Sequence, residues 1–174
     1  WIDVKNALNQ SCNIYFYETG RLLGINRMND YCTRFGLGQK TGVEINESSG
    51  VLAGIAYREA HGGTWYPGDT VQAAIGQSDN LFTPIQLCSY VSTIANGGTR
   101  YRAHFVKSVK SSDYSETLLS NDGVVLNETG VSQNSIRIVK EGMEMLGARL
   151  PAFKSLPVKV AAKTGTAESK AKVS

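Results

Sequence analysis

Apolar residues recur at helical spacing in several stretches of the chain, and residues that favour helix ends bound each stretch. The pattern predicts helices at residues 3–10, 14–23, 26–35, 83–95 and 133–146. Asp3 and Asn26 are expected to cap the first and third helices, and Gly24 and Gly147 to end the second and last. Pro84 favours the start of the fourth helix, whose apolar composition predicts burial on most of its surface.

Strand patterns are fewer. Alternation of apolar and polar residues predicts strands at residues 101–109 and 158–166, of which only the second is convincing. Residues 36–69 are rich in glycine and polar residues, so we expect a long loop that is functional or built of short irregular pieces. Residues 113–127 are expected to be a polar excursion, that is, a polar segment that leaves the regular elements. Because an unpaired strand edge promotes association, residues 158–166 are expected to pair with a neighbouring chain or to fray.

The composition is that of an ordinary globular domain, with 41% hydrophobic and 19% charged residues among 174. The formal net charge is only +3, which gives no reason to expect nucleic acid as a partner. No run approaches the roughly 20 apolar residues that span a bilayer, and no signal peptide opens the chain. Because the chain starts at Trp1 rather than at a methionine, we expect it to be cut from a longer protein.

Cysteine and histidine chemistry is not expected here. The sequence has an odd number of cysteines (Cys12, Cys32 and Cys88), and they lack Cys-x-x-Cys spacing. This pattern fits neither a disulfide framework nor a zinc site. We interpret them as small, partly buried apolar residues. His61 and His104 lie far apart and have no acidic partner at a recognisable spacing, so neither a histidine triad nor a metal site is expected.

Two short motifs carry candidate chemistry: Ser11-Cys12-Asn13 between the first two predicted helices, and Lys163-Thr164-Gly165-Thr166 on the last predicted strand. Ser-x-Asn and Lys-Thr-Gly accompany a Ser-x-x-Lys nucleophile in serine acyl-transferases. Each tripeptide alone is weak evidence for that class of enzyme. A second Lys-Thr-Gly lies at residues 40–42, in a glycine-rich turn without a strand to project the lysine. A Ser-x-x-Lys lies at residues 169–172, with no apolar helical face behind it. Neither is expected to be functional.

Further short blocks surround the two motifs in a fixed order from about residue 7 to residue 167. They are Ala7-Leu8, Tyr15-Phe16, Phe35-Gly36-Leu37-Gly38, Thr41-Gly42, Gly68-Asp69-Thr70, Ala74-Ile75-Gly76-Gln77, Thr83-Pro84, Gln86-Leu87 and Ala95-Asn96-Gly97-Gly98. Together they resemble the middle of a class B penicillin-binding protein, and the resemblance is highly specific. Ser78 departs from the family, which often has glycine there, and this leaves the local loop conformation open.

The resemblance implies an α+β transpeptidase fold of the penicillin-binding and serine β-lactamase type in the whole protein. This part would be mainly helical with few strands. Residues 1–150 would form the helical subdomain, and residues 151–174 a linker plus the strand that carries Lys-Thr-Gly.

The resemblance also implies catalytic roles for the motif residues. In that family a serine attacks the D-alanyl-D-alanine carbonyl, and the acyl group then passes to an amine of a neighbouring peptidoglycan strand. Ser11 would help move the proton to the leaving amine, and Asn13 would hold both the nucleophile's lysine and the substrate amide. Lys163 would supply the positive charge that draws the substrate's terminal carboxylate.

Residues after this lysine would bind substrate. The hydroxyls of Thr164 and Thr166 would bind the same carboxylate, and the backbone N–H of Thr166 would form half of an oxyanion hole. Gly165 would keep the strand edge clear for a ligand. Trp65 and Tyr66 could line a groove, but packing of the long loop onto the helices is the interpretation we favour.

The nucleophilic Ser-x-x-Lys of the family should precede residue 11 and is not in the sequence, so this chain is expected to be inactive alone. The expected partners are peptidoglycan stem peptides and β-lactam antibiotics, with no cofactor and no metal. The parent protein is expected to be membrane-anchored and to act outside the cytoplasmic membrane. Two alternatives stay open: a serine β-lactamase or D,D-carboxypeptidase, and a non-catalytic β-lactam sensor or scaffold.

Overall fold

The structure is a computed structural model, and it describes residues 1–166. The helices are α1 (Val4–Gln10), α2 (Asn13–Leu23), α3 (Ile25–Arg34), α4 (Ile55–Ala60), α5 (Pro67–Ala74), α6 (Pro84–Ala95) and α7 (Gln133–Arg149), with a 3-10 turn at Pro151–Phe153. The strands are β1 (Thr99–Tyr101), β2 (Ser108–Lys110), β3 (Thr117–Ser120) and β4 (Val125–Glu128). The chain is thus mainly helical with few strands, as expected. Within residues 1–166, none of the helices has the length and apolar character needed to cross a membrane.

The five predicted helices are confirmed as α1, α2, α3, α6 and α7, and some of their ends need correction. Asp3 caps α1, since its carboxylate accepts a hydrogen bond from the backbone N–H of Asn6 at 2.8 Å. Asn26 does not cap α3, which already begins at Ile25. Gly147 does not end α7 either. It lies inside the helix, and glycine is needed there since a Cβ would come within 1.8 Å of the Val160 carbonyl oxygen.

The long loop predicted at residues 36–69 contains two helices that the pattern did not indicate. Helix α4 has six residues, too few for a clear periodicity. Helix α5 begins at Pro67, and the Asp69 carboxylate caps it by accepting a hydrogen bond from the Tyr66 N–H at 2.8 Å. Local capping, and not amphipathic spacing, therefore marks the start of α5, whereas α4 has no side-chain cap at its start.

The strands lie elsewhere than predicted. Antiparallel pairs join β1 with β4 and β2 with β3, so the prediction of one strand at residues 101–109 and a polar excursion at 113–127 is wrong. The predicted strand at residues 158–166 is also wrong, because this segment has no regular secondary structure and no strand partner within the described residues. Polar and apolar residues can alternate along a segment that has no hydrogen-bonded neighbour. A β-strand requires such a neighbour, with backbone hydrogen bonds between the two segments.

The described residues form two compact units, and the first comprises Trp1–Met28, Ala53–Asn80 and residues 132–166. In this unit α1 packs against α7 and α2 against α5. Small residues allow both contacts, since a Cβ on Gly142 would lie 2.9 Å from the Leu8 side chain, and one on Gly20 only 2.3 Å from Ala74. A separate cluster buries Ile25, Ala53 and Ala73, with Met28 and Trp65 against it.

The second unit comprises Asn29–Leu52 and Leu81–Val131. Its helix α6 is less buried than predicted, because Leu87 and Val91 are 45% and 44% exposed. Gln86 on the same helix is only 1% exposed, and its amide nitrogen donates to the carbonyl oxygens of Gln39 (2.6 Å) and Ser49 (2.7 Å). A buried polar side chain thus ties the loop around residues 39–49 to α6. The division of the longer protein at residue 150 stays a prediction.

Candidate active site

Ser11 stands at the C-terminal end of α1 in the left-handed conformation, with φ 52° and ψ 49°. The N–H of Cys12 donates to the Ala7 carbonyl at 2.9 Å, and the N–H of Ser11 donates to the Leu8 carbonyl at 3.2 Å. These two bonds form a Schellman motif, which usually places glycine in the left-handed position. A residue with a side chain pays about 1–2 kcal/mol for this conformation. The chain therefore keeps a hydroxyl at a position where glycine would be more stable.

The segment that carries Lys163 is supported by α7, the helix that also packs on α1. The N–H of Ala162 donates to the Met143 carbonyl at 3.0 Å. The backbone of Val160 comes so close to α7 that only glycine fits at position 147. One helix therefore positions both the turn that holds Ser11 and the segment that holds Lys163.

The two motifs meet in this unit although they are 152 residues apart in sequence. The ammonium group of Lys163 donates to the Ser11 hydroxyl at 2.7 Å and to the Thr164 carbonyl oxygen at 2.9 Å. The hydroxyls of Ser11 and Thr164 are hydrogen-bonded at 2.9 Å. The arrangement is a chain of exchangeable protons that runs from an amine through one hydroxyl to another.

Among residues 1–166, the Lys163 ammonium group has no counter-ion. Burial lowers the pKa of Lys163 from its ordinary value. None of the ion pairs between described residues includes it. A partly desolvated cation beside two hydroxyl groups can bind an anion such as a carboxylate.

The remaining motif residues border this cluster in sequence. Asn13 is the first residue of α2 and is exposed. Gly165 has open backbone as far as the described residues show, since none of their heavy atoms beyond its chain neighbours lies within 4 Å of the place that a Cβ would take. The carbonyl oxygen of Thr166 accepts a hydrogen bond from the side-chain amide of Gln77 at 2.8 Å.

Gln77 is the residue at this site that motif reasoning missed. It lies in the turn that follows α5, within the Ala74-Ile75-Gly76-Gln77 block that contributed to the family resemblance. Ser78 beside it has φ 65°, a left-handed conformation in which glycine is more stable. The sequence left the conformation of this loop open. The left-handed conformation of Ser78 explains why the family often has glycine at this position. The block itself was the only sequence signal for Gln77.

The second Lys-Thr-Gly has a structural partner from its own chain. The Glu47 carboxylate accepts hydrogen bonds from the Thr41 N–H at 2.9 Å, the Thr41 hydroxyl at 2.8 Å and the Gly42 N–H at 2.7 Å. Burial raises the pKa of Glu47, and these hydrogen bonds lower it by more, so that the net shift is downward. The backbone and hydroxyl of this tripeptide thus hold a carboxylate and are not open to a ligand.

The other candidates have packing roles or lie outside the described residues. Trp65 packs against the cluster around Ile25, and its indole N–H donates to the Thr70 hydroxyl at 3.0 Å. Tyr66 is 63% exposed and precedes α5, and Cys12 is half-buried before α2. The Ser-x-x-Lys at residues 169–172 lies outside the described residues. Within residues 1–166, no cluster of three or more histidine, cysteine or acidic side chains could hold a metal ion.

The family model of the penicillin-binding protein transpeptidase domain matches residues 1–174. A relative in Acinetobacter baumannii, the peptidoglycan D,D-transpeptidase MrdA, is 28% identical over 177 residues, which is 97% of this chain and 25% of the relative. Penicillin-binding protein 2A of Bacillus subtilis is 31% identical over 192 residues, which again is 97% of this chain and 25% of the relative. The chain thus spans about a quarter of the length of these relatives.

Solved structures agree. A chain of a peptidoglycan synthase complex that coordinates polymerization and crosslinking superposes with a TM-score of 0.83 and 30% identity, covering 98% of this chain and 29% of that one. Pseudomonas aeruginosa PBP2 in complex with WCK 5153 gives a TM-score of 0.79 and 26% identity, covering 95% and 38%. The chain belongs to the penicillin-binding protein transpeptidase domain family. Within that family it is of class B, of the type that includes MrdA and PBP2.

Proposed function

We propose that this chain is part of a peptidoglycan D,D-transpeptidase that crosslinks stem peptides ending in D-alanyl-D-alanine and is acylated by penicillin. One observation carries the proposal: the contact of 2.7 Å between the Lys163 ammonium group and the Ser11 hydroxyl. These residues come from the two motifs that accompany a Ser-x-x-Lys nucleophile in serine acyl-transferases. The names of the relatives support the same activity.

The reaction needs a nucleophile that this sequence does not contain. In the longer protein, the lysine of a Ser-x-x-Lys takes the proton of its serine, the serine oxygen attacks the carbonyl carbon between the two D-alanines, and the C–N bond breaks. The departing D-alanine leaves as an amine, and Ser11 passes it the proton that it needs, because a hydroxyl can accept and donate at once. The side-chain carbonyl of Asn13 holds the nucleophile's lysine, and its NH2 group holds the substrate amide. An amine of a neighbouring strand then displaces the serine from the acyl-enzyme.

Lys163 recognises the substrate by its charge. The terminal carboxylate of the peptide supplies the counter-ion that the ammonium group lacks among the described residues. The hydroxyls of Thr164 and Thr166 donate to the same carboxylate. A β-lactam is bound in the same way because its ring carboxylate mimics the peptide terminus.

The developing negative charge is stabilised at the end of the segment. The backbone N–H of Thr166 serves as one oxyanion donor, and the backbone N–H of the missing serine serves as the other. The open space at Gly165 supports this role, since it lets a substrate lie against the backbone.

This function places the longer protein at the extracytoplasmic face of the bacterial membrane, where peptidoglycan is made, with an anchor in that membrane. Its partners are stem peptides and β-lactam antibiotics. The 174-residue chain alone is inactive, because it holds half of an oxyanion hole and no nucleophile.

A fluorescent penicillin tests the proposal. We expect a labelled band on a denaturing gel from the longer protein and none from the chain alone. The Lys163→Ala variant of the longer protein should label much more slowly, whereas Lys159→Ala, which alters a nearby exposed lysine, should label like the wild type. Covalent label on the chain alone would refute the missing-nucleophile account. Loss of the label within seconds would favour a hydrolase of the β-lactamase or carboxypeptidase type.

A further inference from the structure

The segment at residues 158–166 crosses the site without a strand ladder in the described residues, so individual contacts hold it. The N–H of Ala162 bonds to α7, and Lys163 bonds to Ser11. The last contact is the hydrogen bond of 2.8 Å from the Gln77 side chain to the Thr166 carbonyl oxygen. Within the part of the chain that the structure describes, the Thr166 carbonyl is therefore held by one side chain.

The backbone of Gln77 is itself held from both sides. Its N–H donates to the Gln72 carbonyl at 3.0 Å. Its carbonyl accepts from the side-chain amide of Asn80 at 3.1 Å. The Asn80 side-chain oxygen accepts from the Ala53 N–H at 2.9 Å, so this asparagine links the turn to the segment just before α4. The Gln77 side chain thus projects from a fixed turn.

Arg58 locks the residues that follow. Its guanidinium group donates to the Asp79 carboxylate at 2.6 Å, to the Ser78 hydroxyl at 3.3 Å and to the Asp69 carboxylate at 3.2 Å. It also lies 5.4 Å from the Trp65 ring centroid. Because the Arg58 and Asp79 side chains are only 24% and 28% exposed, this network resists solvent better than a surface pair. The network fixes the turn that carries Gln77.

We propose that Gln77 is a positioning residue: by holding the Thr166 carbonyl, its amide limits rotation of the Thr166 backbone, so that the Thr166 N–H in the preceding peptide group stays aimed at the reacting carbonyl. The catalytic role of this contact rests on the proposed function. The hydrogen bond between Gln77 and the Thr166 carbonyl, which we call the tether, is a property of the chain itself. A carbonyl oxygen has two acceptor sites, so Thr166 can still accept a substrate N–H while Gln77 holds it. Glutamine supplies reach and a donor without adding a charge to the site.

Amide hydrogen exchange in the full 174-residue chain tests the tether. In Gln77→Ala, exchange of the Ala162 N–H, which bonds to the Met143 carbonyl at 3.0 Å, should become about fivefold faster, as expected when the segment loses one net hydrogen bond. The control Gln72→Ala alters an exposed glutamine of α5 and should leave this rate unchanged. Equal rates at Ala162 in the wild type and Gln77→Ala would overturn the tether.

A second variant distinguishes hydrogen-bond donation by the side chain of residue 77 from mere packing of that side chain. In Gln77→Glu, an ionised carboxylate cannot donate to the Thr166 carbonyl, but the protonated acid can. The carbon-13 shift of that carbonyl should therefore differ from wild type at neutral pH and return toward it as the pH falls through the carboxyl pKa. A shift that ignores the protonation of the glutamate would contradict the inference.

Acylation of the longer protein tests the catalytic role. Gln77→Ala should slow the covalent step of penicillin acylation by about 10-fold to 100-fold with little change in the preceding binding constant, because misplaced catalytic groups act mainly on the chemical step. If the wild type is labelled and Gln77→Ala is acylated at the same rate, the positioning role is wrong and the proposed function is unaffected. A wild type that takes no label would overturn the proposed function, and the exchange data would still decide the tether.

Discussion

The left-handed serine at the end of α1 gives the sharpest prediction about stability. Ser11 has φ 52° in a position that glycine occupies most readily, and its hydroxyl bonds to Lys163 and Thr164. We compare Ser11→Gly with Ser11→Ala. Both variants lack the hydroxyl, so the difference between them reports the cost of a Cβ in this conformation.

The magnitude follows from two opposing terms. A Cβ in the left-handed region costs about 1–2 kcal/mol in the folded state. Glycine loses more conformational entropy on folding, which takes back roughly 0.5–1 kcal/mol. We therefore expect Ser11→Gly to have a free energy of unfolding about 1 kcal/mol above that of Ser11→Ala. For a chain of this length the difference corresponds to about 2–4 °C in melting temperature.

Urea denaturation followed by circular dichroism measures this difference directly, since the slopes of both variants should match. An alanine variant as stable as the glycine variant would show that residue 11 is not strained. Labelling of the longer protein by penicillin gives the complementary result. Both variants should label poorly, so that the more stable one gains nothing in function, as stability–activity trade-offs predict.

Three further predictions test other parts of the account. Gly36→Ala should lower the free energy of unfolding by roughly 3 kcal/mol or more in urea denaturation, because φ is 86° and the new Cβ would lie 2.5 Å from the buried guanidinium of Arg100; a loss below 1 kcal/mol would contradict the contact. The folded-state pKa of Glu47 is lowered, so its stabilising contribution is present above the unfolded-state pKa and is lost as the pH falls through the folded-state pKa. Glu47→Gln should therefore flatten the acid limb of a plot of stability against pH, and an unaltered limb would argue against the hydrogen bonds to Thr41. Because burial lowers the pKa of Lys163, binding of a D-alanyl-D-alanine peptide in NMR titrations should weaken at a lower pH than for an ordinary lysine, and Lys163→Arg should remove this dependence; a pH-independent affinity in the wild type would contradict the cation's role.

Local signals made much of the helical structure predictable. The carboxylate of Asp3 and the left-handed Gly24 act on their nearest neighbours, so the ends of α1 and α2 follow from a few adjacent residues. Gly147 failed as a helix end because its role is long-range. It makes room for the backbone of Val160, and no local pattern contains that contact.

The candidate site was predictable in its residues but not in its support. Ser11 and Lys163 were singled out by two tripeptides and their family context. The strand expected to carry Lys163 is absent from the described structure, since a strand requires partners that a single segment's alternation does not reveal. Gln77 was missed because a neutral amide in a turn has no chemical signature until the contact with Thr166 is seen.

A double-mutant cycle on penicillin acylation tests most directly whether the two motifs form one site. It compares the second-order acylation rates of the longer protein with Ser11→Gly, Lys163→Met and both changes together. Groups 2.7 Å apart should be coupled, so the double variant should lose less activity than the product of the single losses, by a factor of about 2 to 100. Losses that multiply would mean that the Ser11 hydroxyl and the Lys163 ammonium group act independently, and the proposed active site would be wrong.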